Sequence, residues 1–379
     1  MLEPRSGRES ATRPTRRGGY RGAAVGLVLG MILVSIPATA AAVKQTAHYC
    51  QTHPKAARCS SSTSPSPSPS TSLSPSPSPT TTAPSSSYRA FPSSSYWNTP
   101  LPADAPLDPN SGAIISFLKA DNTTNYVRLA GTSSTGTWGN PIYWSGTSDP
   151  TYAINNSCSQ RQPSEFSSMR IPAGARPDPT SDAGMTVYDG DKGLVYALWH
   201  ASYNATTDTW SACGGTVYYL SSNGLEGSLL QSDQPRNKGH RGAPPPTYAV
   251  RYDEVRAGAI RHVLKIAVNT TKCSHTFPMV ADECGTTATY APPEGTRIRI
   301  KPWIDLTKLG LSPAALIVAR ALQTYGAVIG DQSGGPVSLK VENTVAEGLG
   351  PKWDGVLSAT SLAGVPLDDF QVVQLGYGQ

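Results

Sequence analysis

Between Ser60 and Ser87 the sequence has almost no apolar side chains, because the segment consists nearly entirely of Ser, Pro and Thr. Such a segment cannot form a hydrophobic core, since nothing offsets the entropy lost when the chain becomes ordered. Its prolines favour extended polyproline II conformations. We therefore predict a disordered Ser/Pro/Thr-rich linker over residues 60–87, followed by a single globular domain over residues 88–379.

Several catalytic and metal-binding motifs are missing from the chain. It contains no P-loop, no G-x-G-x-x-G, no G-x-S-x-G nucleophile elbow, no H-E-x-x-H and no C-x-x-C. The E-x-D-x-x-E pattern of retaining jelly-roll glucanases is absent as well. Asp189 and Asp191 supply two carboxylates in one turn, well short of calcium coordination, and we interpret that turn as a plain hairpin. We predict no cofactor and no metal site.

The globular domain also lacks an excess of positive charge. The whole chain has a formal net charge of +5 at pH 7. Nine Lys and Arg against two Asp and Glu precede residue 88, and 22 Lys and Arg against 24 Asp and Glu follow from there. The basic excess therefore belongs to the N-terminal segment. We predict no nucleic-acid partner, because the domain has no basic field that would attract DNA.

Residues 1–43 have the pattern of a secretory signal peptide. Six arginines precede an uncharged run whose centre is GLVLGMILVSI, and small residues follow Pro37 with an A-x-A-like site at 38–40. The uncharged residues 22–43 are about long enough to span a bilayer, so an uncleaved signal anchor is the alternative. Both forms place the domain in a secreted or extracytoplasmic location, with the membrane as a partner only through this anchor.

Six cysteines agree with export, because oxidising compartments favour disulfides. Many pairings are possible, and the sequence does not choose among them. Local pairing is the simplest hypothesis, and it includes a short Cys-bounded segment over residues 44–59. The resulting pairs are Cys50–Cys59, Cys158–Cys213 and Cys273–Cys284.

The domain composition predicts a mainly β fold, a β-sandwich or jelly-roll-like domain, which we expect to be a monomer. Short runs separated by turns rich in Gly, Pro, Ser and Thr are typical of such folds. The strongest strand patterns cover residues 185–189, 194–203, 259–268 and 296–304. Residues 194–203 are apolar on both faces and indicate a central strand, with His200 packed inside.

One helix near 313–325 is clearly indicated. Ser312 is a suitable N-cap, Pro313 a suitable first helical residue, and Gly326 is placed to end the helix. The apolar residues between them recur at helical spacing. A strand over 327–331 is expected to follow, and a shorter helical turn is expected over residues 252–257.

The order of several segments resembles a known group of proteins. YWNTPLPADAPLDPNS opens the domain, VRYDEVRAGAIRHVLKIAV lies in the middle, and PPEGTRIRIKPWIDL, LQTYGAVIGD and PLDDFQVV close it. This order resembles a family of secreted bacterial and fungal proteins, common in actinobacteria, that often carry Ser/Pro- or Thr-rich linkers. The resemblance covers residues 88–375 and implies a secreted, mostly β domain. It implies no catalytic residues, and Gly184 stands where members tend to have His.

Three residues are candidates for catalysis. Asp331 follows a strand and precedes glycines, so it suits an acid, a base or a metal ligand, although an Asp capping its own turn is the alternative. His262 lies on an apolar strand face, where a packed core histidine is favoured over a general base. Tyr325 is close in sequence to Asp331 and is a candidate partner.

Four residues are candidates for substrate binding. His240 and Arg241 lie in a Gly/Pro-rich loop and could bind an anionic sugar or phosphate, with an ordinary solvated loop as the alternative. Arg299 and Lys301 alternate with apolar residues. Together with neighbouring cations they could form a cationic sheet face for uronates or phosphate, or merely a solvated outer face.

These observations predict an exported carbohydrate-active protein, a polysaccharide hydrolase or lyase acting on a polysaccharide or cell-wall glycan. A non-catalytic cell-surface glycan-binding or adhesion domain is the alternative, and a purely structural envelope protein is a third possibility. Convergence of His262, Tyr325 and Asp331 in one cleft would favour the enzyme. An exposed groove lined with Trp or Tyr would favour binding.

Overall fold

The computed structural model describes residues 88–133, 138–227, 237–239 and 241–379. The predicted signal segment, the linker, Cys50, Cys59 and His240 lie outside the described residues. The strands are β1 Arg128–Ala130, β2 Ile142–Ser145, β3 Thr151–Tyr152, β4 Asn155–Asn156, β5 Met169–Arg170, β6 Met185–Asp189, β7 Leu194–Trp199, β8 Ser202–Asn204, β9 Thr209–Ala212, β10 Gly214–Tyr219, β11 Leu264–Val268, β12 Arg297–Ile300, β13 Ala327–Gln332, β14 Ser338–Lys340 and β15 Phe370–Val372. The α-helices are α1 Ser111–Ala120, α2 Tyr252–Arg256 and α3 Pro313–Thr324, and 3-10 turns lie at Tyr96–Asn98, Ser164–Ser168, Leu306–Lys308 and Leu367–Asp369. The described part of the chain is mainly β, as predicted.

Most strands belong to two mixed sheets. One has six strands in the order β1-β14-β11-β13-β12-β15, and the other has four in the order β10-β7-β6-β2. Smaller sheets pair β3 with β5 and arrange β4-β9-β8. Strand β11 is parallel to β13 and antiparallel to β14, so both directions occur within one sheet. The mainly β class is confirmed, and the sandwich or jelly-roll arrangement stays a prediction.

One face of the six-stranded sheet is the centre of the largest hydrophobic cluster. Alternate residues along a strand share a face, and Leu264, Ile266, Ile298 and Leu339 all belong to this cluster. Helix α3 contributes its buried apolar face, including Leu322. Burying one such side chain stabilises the fold by about 1.5–3 kcal/mol. This packing fixes the sheet and leaves its opposite face for other contacts.

The opposite face of the same sheet carries several charged side chains, and part of it is covered. Arg297 and Arg299 are 5% and 1% exposed. Arg299 donates to the carbonyl oxygens of Pro102 and Ala103 at 2.7 Å each. Arg297 donates to the carbonyl oxygen of Tyr325 at 2.6 Å. It also donates to a backbone carbonyl oxygen of the segment before Pro102. The expectation of an exposed cationic face is therefore wrong for these two residues, because the segment preceding α1 lies over them.

The four-stranded sheet is buried on both faces, as predicted for its central strand. Strand β7 lies between β10 and β6. Tyr196 and Leu198 pack into one cluster, and Val195 packs into another. The second cluster also contains Val263 and Val328 from the region of the six-stranded sheet. The two larger sheets therefore share a hydrophobic cluster.

Three predicted strands are shorter than expected, and the one predicted over residues 296–304 covers only Arg297–Ile300. The strand expected from residue 259 begins at Leu264, because the Val263 N–H donates to the Trp97 carbonyl at 2.7 Å instead of joining the ladder. The strand expected to reach residue 203 ends at Trp199. The next residue, His200, has a φ of 51° and is exposed, so its expected packing inside the fold is wrong.

Helix α3 begins and ends as its caps predict. The Ser312 hydroxyl accepts from the Ala315 N–H at 3.2 Å, and Pro313 is the first helical residue. Gly326, with a φ of 69°, follows the helix and reverses the chain into β13. The predicted helical turn over 252–257 is present as α2.

Two disulfides join Cys158 to Cys213 and Cys273 to Cys284, which confirms the local pairing for these four cysteines. They are compatible with an extracellular protein. Within residues 88–379 as described, no helix is long and apolar enough to cross a membrane.

Candidate functional site

A groove of about 870 Å³ opens over the charged face of the six-stranded sheet. It lies on the same face as the buried arginines, but towards the β1 edge of the sheet. Its floor comes from neighbouring strands β1, β14, β11 and β13. The floor residues are Arg128, Ala130, Ser338, Lys340, Ala267 and Asp331. The walls come from residues 131–133 and 138, from Asp182, and from residues 354–359.

Local irregularity in the sheet brings Asp331 to this groove. The pairing of β11 with β13 shifts between Ile266 and Ala267, so Ala267 lies opposite Asp331. Such a bulge redirects a side chain at the end of a strand. Gly330 leaves room for the side chain of Lys265, because a Cβ on residue 330 would lie only 3.0 Å from Cε of Lys265. The Lys265 side chain passes over this glycine to reach the carboxylate of Asp331.

Asp331 belongs to a cluster of five charged side chains, which we call the Arg241 cluster: Arg241, Lys265, Glu283, Glu294 and Asp331. The Arg241 guanidinium lies 2.8 Å from Glu283, 3.6 Å from Glu294 and 3.7 Å from Asp331. Lys265 Nζ lies 3.7 Å from Asp331 and 5.2 Å from the ring centroid of Tyr248. The Asp331 side chain is 31% exposed, so it joins this buried cluster to the groove.

Glu294 is the most deeply buried member of the Arg241 cluster, with a side-chain exposure of 0%. Burial raises its pKa to about 7, although the charge of Arg241 opposes the shift. Its Oε1 accepts from the backbone N–H of Glu283 at 3.0 Å. Among the described residues, its Oε2 has no hydrogen-bond partner. Glu294 can therefore gain or lose a proton near neutral pH directly behind the groove.

Among the predicted site residues that the structure describes, only one pair comes together. Asp331 and Arg241 share the Arg241 cluster. His262 is 3% exposed; its Nε2 lies 3.1 Å from Oε2 of Glu254 and its Nδ1 lies 2.9 Å from the Val263 carbonyl oxygen. The favoured interpretation of His262 as a packed core histidine agrees with this burial.

The predicted catalytic trio is not assembled. His262 lies before the start of β11 at Leu264, and Tyr325 lies before the start of β13 at Ala327. These two starts pair with each other, whereas Asp331 lies four residues further along β13, where it pairs with Ala267. Four strand residues span roughly 13 Å. Neither His262 nor Tyr325 lines the groove. Tyr325 instead packs against a hydrophobic cluster.

The predicted substrate-binding residues are also separated. Arg299 is buried against backbone carbonyls, as described above, which leaves it no route to a substrate in the groove. Lys301 is half-buried and donates to the Asp368 carbonyl oxygen at 2.7 Å. Neither residue lines the groove.

Asp189 and Asp191 both pair with Arg170. In the described part of the chain, no group of His, Cys, Asp and Glu could hold a metal ion.

An exposed tryptophan forms part of the groove wall. Trp138 is 48% exposed and has a φ of 61°, in the left-handed region that side chains rarely adopt. Gly139, the next residue, lies close against Gly131, because a Cβ on Gly131 would collide with the backbone of Gly139. Gly131 also has a φ of 105°, which only glycine adopts easily. The backbone at Gly131 therefore meets the backbone at Gly139 closely, directly beside Trp138.

Sequence reasoning did not identify Glu283, Glu294 or Trp138 as members of a site, and it expected Lys265 only as part of a cationic sheet face. Glu294 lies between prolines and a glycine in PPEGT. This pattern indicates a loop, and it is the one sequence feature that could have drawn attention to this acid. Glu283 adjoins Cys284, so the predicted short disulfide loop could have drawn attention to it. Nothing in the sequence alone indicates that these segments meet beside β13.

No protein-family model matches the chain, and no curated protein or solved structure matches it either. The family resemblance described above therefore stays a prediction, and the geometry of the groove carries the functional argument.

Proposed function

We propose that the domain is a carbohydrate-active protein that binds a neutral polysaccharide chain in the groove over the six-stranded sheet. The supporting observation is an open groove of about 870 Å³ that combines an exposed Trp138 with hydroxyl, carboxylate and cationic side chains. Sugar rings present apolar faces and polar edges, which suit an aromatic side chain beside hydrogen-bonding groups.

The charges of the groove favour a neutral ligand over a polyanion. Asp331 is paired with Arg241 and Lys265. The other charged lining residues are Arg128, Lys340, Asp182 and Asp354, two of each sign. A uronate or phosphate polymer would need a cationic excess, and the arginines expected to supply it are buried elsewhere.

Hydrolysis of the bound chain is a second candidate, and the Arg241 cluster is the observation that favours it. Glycoside hydrolysis uses two carboxyl groups, one of them with a raised pKa. Asp331 and Glu283 are partly exposed and share the guanidinium of Arg241, while Glu294 has the raised pKa. Glu294 is buried behind them, so this arrangement supports binding more directly than catalysis. The lyase form has less support, because His262 and Tyr325 lie outside the groove.

The proposal includes an extracytoplasmic location. The two disulfides are compatible with it, and the predicted export signal over residues 1–43 supports it. Whether the N-terminus is a cleaved signal or an anchor would be decided by N-terminal sequencing of the exported chain. Cleavage near residue 40 would make the linker a free N-terminal tail.

The proposal is tested with a panel of neutral and acidic polysaccharides and the purified full-length chain. Binding is measured by affinity electrophoresis, hydrolysis by released reducing ends, and lyase activity by the absorbance of unsaturated products. We expect binding to at least one neutral polysaccharide and weaker binding to acidic ones. Exclusive binding to polyuronates, or no binding to any glycan, would contradict the proposal.

A further inference from the structure

A second group of exposed aromatic side chains lies outside the groove lining. Trp199 and Tyr203 are 38% and 44% exposed. They lie at the end of β7 and in β8, on the connection from the four-stranded to the three-stranded sheet. Single exposed aromatic residues are common on protein surfaces, whereas grouped ones indicate a contact surface. The question is therefore whether these residues are continuous with the groove.

Direct contacts link this aromatic group to the groove wall. The Asp182 carbonyl, whose residue lines the groove, accepts from the His200 N–H at 2.8 Å. The ring of His200 lies 4.0 Å from the ring of Trp199, centroid to centroid, at an interplanar angle of 38°. Tyr203 is four residues after Trp199, within roughly 14 Å even in an extended chain. Asp182, His200, Trp199 and Tyr203 therefore mark a path along the chain that starts at the groove wall, and the last three of these residues are exposed.

The far end of this path is held rigidly. The hydroxyl groups of Tyr203 and Tyr152 both donate to Oδ1 of Asp208, at 2.8 and 3.1 Å. The Tyr203 ring packs at 5.2 Å from the ring of Trp210, which is itself buried. An aromatic ring fixed in this way loses little conformational entropy when a ligand stacks on it. Asp208 adds hydrogen-bond acceptors at the edge of the ring.

Unusual backbone conformations follow the same path. The described residues include seven non-glycine positions with positive φ. Four of them are Trp138 at 61°, Ala183 at 41°, His200 at 51° and Asp208 at 51°. Two more, Arg241 and Cys284, belong to or adjoin the Arg241 cluster. Backbone strain persists where the surrounding structure imposes it and concentrates at functional sites.

A disulfide fixes the middle of the path. The Cys213 N–H donates to the Trp199 carbonyl at 3.0 Å, and Cys213 is bonded to Cys158. Gly214 pairs with Trp199 across the β7–β10 ladder. A Cβ on Gly214 would lie 3.9 Å from Cε3 of Trp199, so the indole lies next to this strand. The exposed indole is therefore held on a covalently anchored strand end.

We propose that Trp199, His200 and Tyr203 form an outer subsite that binds sugar rings of the same polysaccharide chain whose other part lies in the groove. The inference rests on the proposed glycan-binding function and makes the ligand an extended chain whose successive sugar rings contact both surfaces. The outer subsite increases affinity because its aromatic rings stack on sugar rings. A chain already bound in the groove also makes this second contact without a further loss of translational freedom.

The test uses ladders of cello-, laminari- and chito-oligosaccharides, from dimers to octamers, with the full-length chain and isothermal titration calorimetry. On the ladder that binds, we expect the wild-type Kd to fall by about tenfold or more from tetramer to octamer, equivalent to ~1.4 kcal/mol. The double variant Trp199→Ala, Tyr203→Ala is expected to lose this gain and to bind the tetramer unchanged. Tyr203→Phe tests the bond to Asp208, and Trp303→Ala, at an exposed Trp elsewhere with 68% exposure, is the matched control.

The outcomes separate this inference from the proposed function. Equal affinity of the wild type for short and long chains would overturn the outer subsite and leave the groove. A chain-length gain that survives in the double variant, with its melting curve unchanged, would also overturn it. Failure of every ladder and of every neutral polysaccharide in the panel to bind would overturn the proposed function, and the outer subsite with it.

Discussion

Arg241 and Asp331 lie 3.7 Å apart, and this contact joins a loop that precedes α2 to the end of strand β13. Through it, three carboxyl groups and two cations form one cluster directly behind the groove. Both residues were candidates from the sequence, but for different roles. The contact places Arg241 as a counter-ion for carboxylates at the groove, and its expected role in substrate binding stays a prediction.

Arg241→Ala should destabilise the protein strongly, because it leaves Glu283, Glu294 and Asp331 without their shared cation. Removing one partner of a buried ion pair costs about 3–5 kcal/mol, and we expect a value near the lower limit, since Arg241 is 16% exposed. The free energy of unfolding is measured by urea denaturation. Lys308→Ala is the control, because its pair with Asp305 is mostly exposed and should change stability little. Equal effects of the two substitutions would show that the Arg241 cluster contributes nothing specific.

Glu294→Gln should change the pH dependence of stability. The pKa of Glu294 is raised from 4.5 to about 7 in the folded protein. Its contribution to stability is therefore fully present below pH 4.5 and is lost as the pH rises through 7. The free energy of unfolding of the wild type should fall across this window relative to that of Glu294→Gln. Parallel curves for the two proteins between pH 4.5 and 8 would contradict the raised pKa.

Gly131→Ala should disturb the groove more than an equivalent change elsewhere. Gly131 and Gly258 both have positive φ, 105° and 87°, so alanine at either costs roughly 1–2 kcal/mol in backbone strain. Only at Gly131 would the new Cβ meet another backbone segment, that of Gly139, whereas the space around Gly258 is open. We expect Gly131→Ala to lower the melting temperature further than Gly258→Ala and to weaken glycan binding. Identical melting temperatures would refute this account of the close approach.

Arg299→Met should reduce stability without changing glycan affinity. The substitution leaves the carbonyl oxygens of Pro102 and Ala103 without their donors. An unsatisfied buried polar group costs about 1–3 kcal/mol. Denaturation and calorimetry on the same variant separate the two effects. A loss of affinity with unchanged stability would restore the substrate-binding role that the sequence suggested for Arg299.

The sequence predicted those features that local chemistry determines. The caps at Ser312 and Gly326 gave the bounds of α3, and the turn residues after β13 placed Asp331 at a strand end. The same reasoning predicted that β7 is apolar on both faces, and Tyr196 and Leu198 are indeed buried on one of them. These features depend on residues within a few positions of each other.

Features that depend on distant segments could not be predicted. Alternation predicted which face Arg299 occupies, but not that Pro102 and Ala103 cover that face. The apolar pattern around His262 was interpreted as a strand, while the side chain is buried through its contact with Glu254 outside the ladder. Trp138 carried no pattern of its own, because its position depends on the approach of two glycines.

Calorimetry of Trp138→Ala tests the groove most directly, using the neutral polysaccharide that the wild-type chain binds best. We expect affinity to fall by about tenfold or more, equivalent to ~1.4 kcal/mol, while Trp303→Ala retains wild-type affinity. An unchanged Kd for a correctly folded Trp138→Ala would place the glycan elsewhere and contradict the central claim.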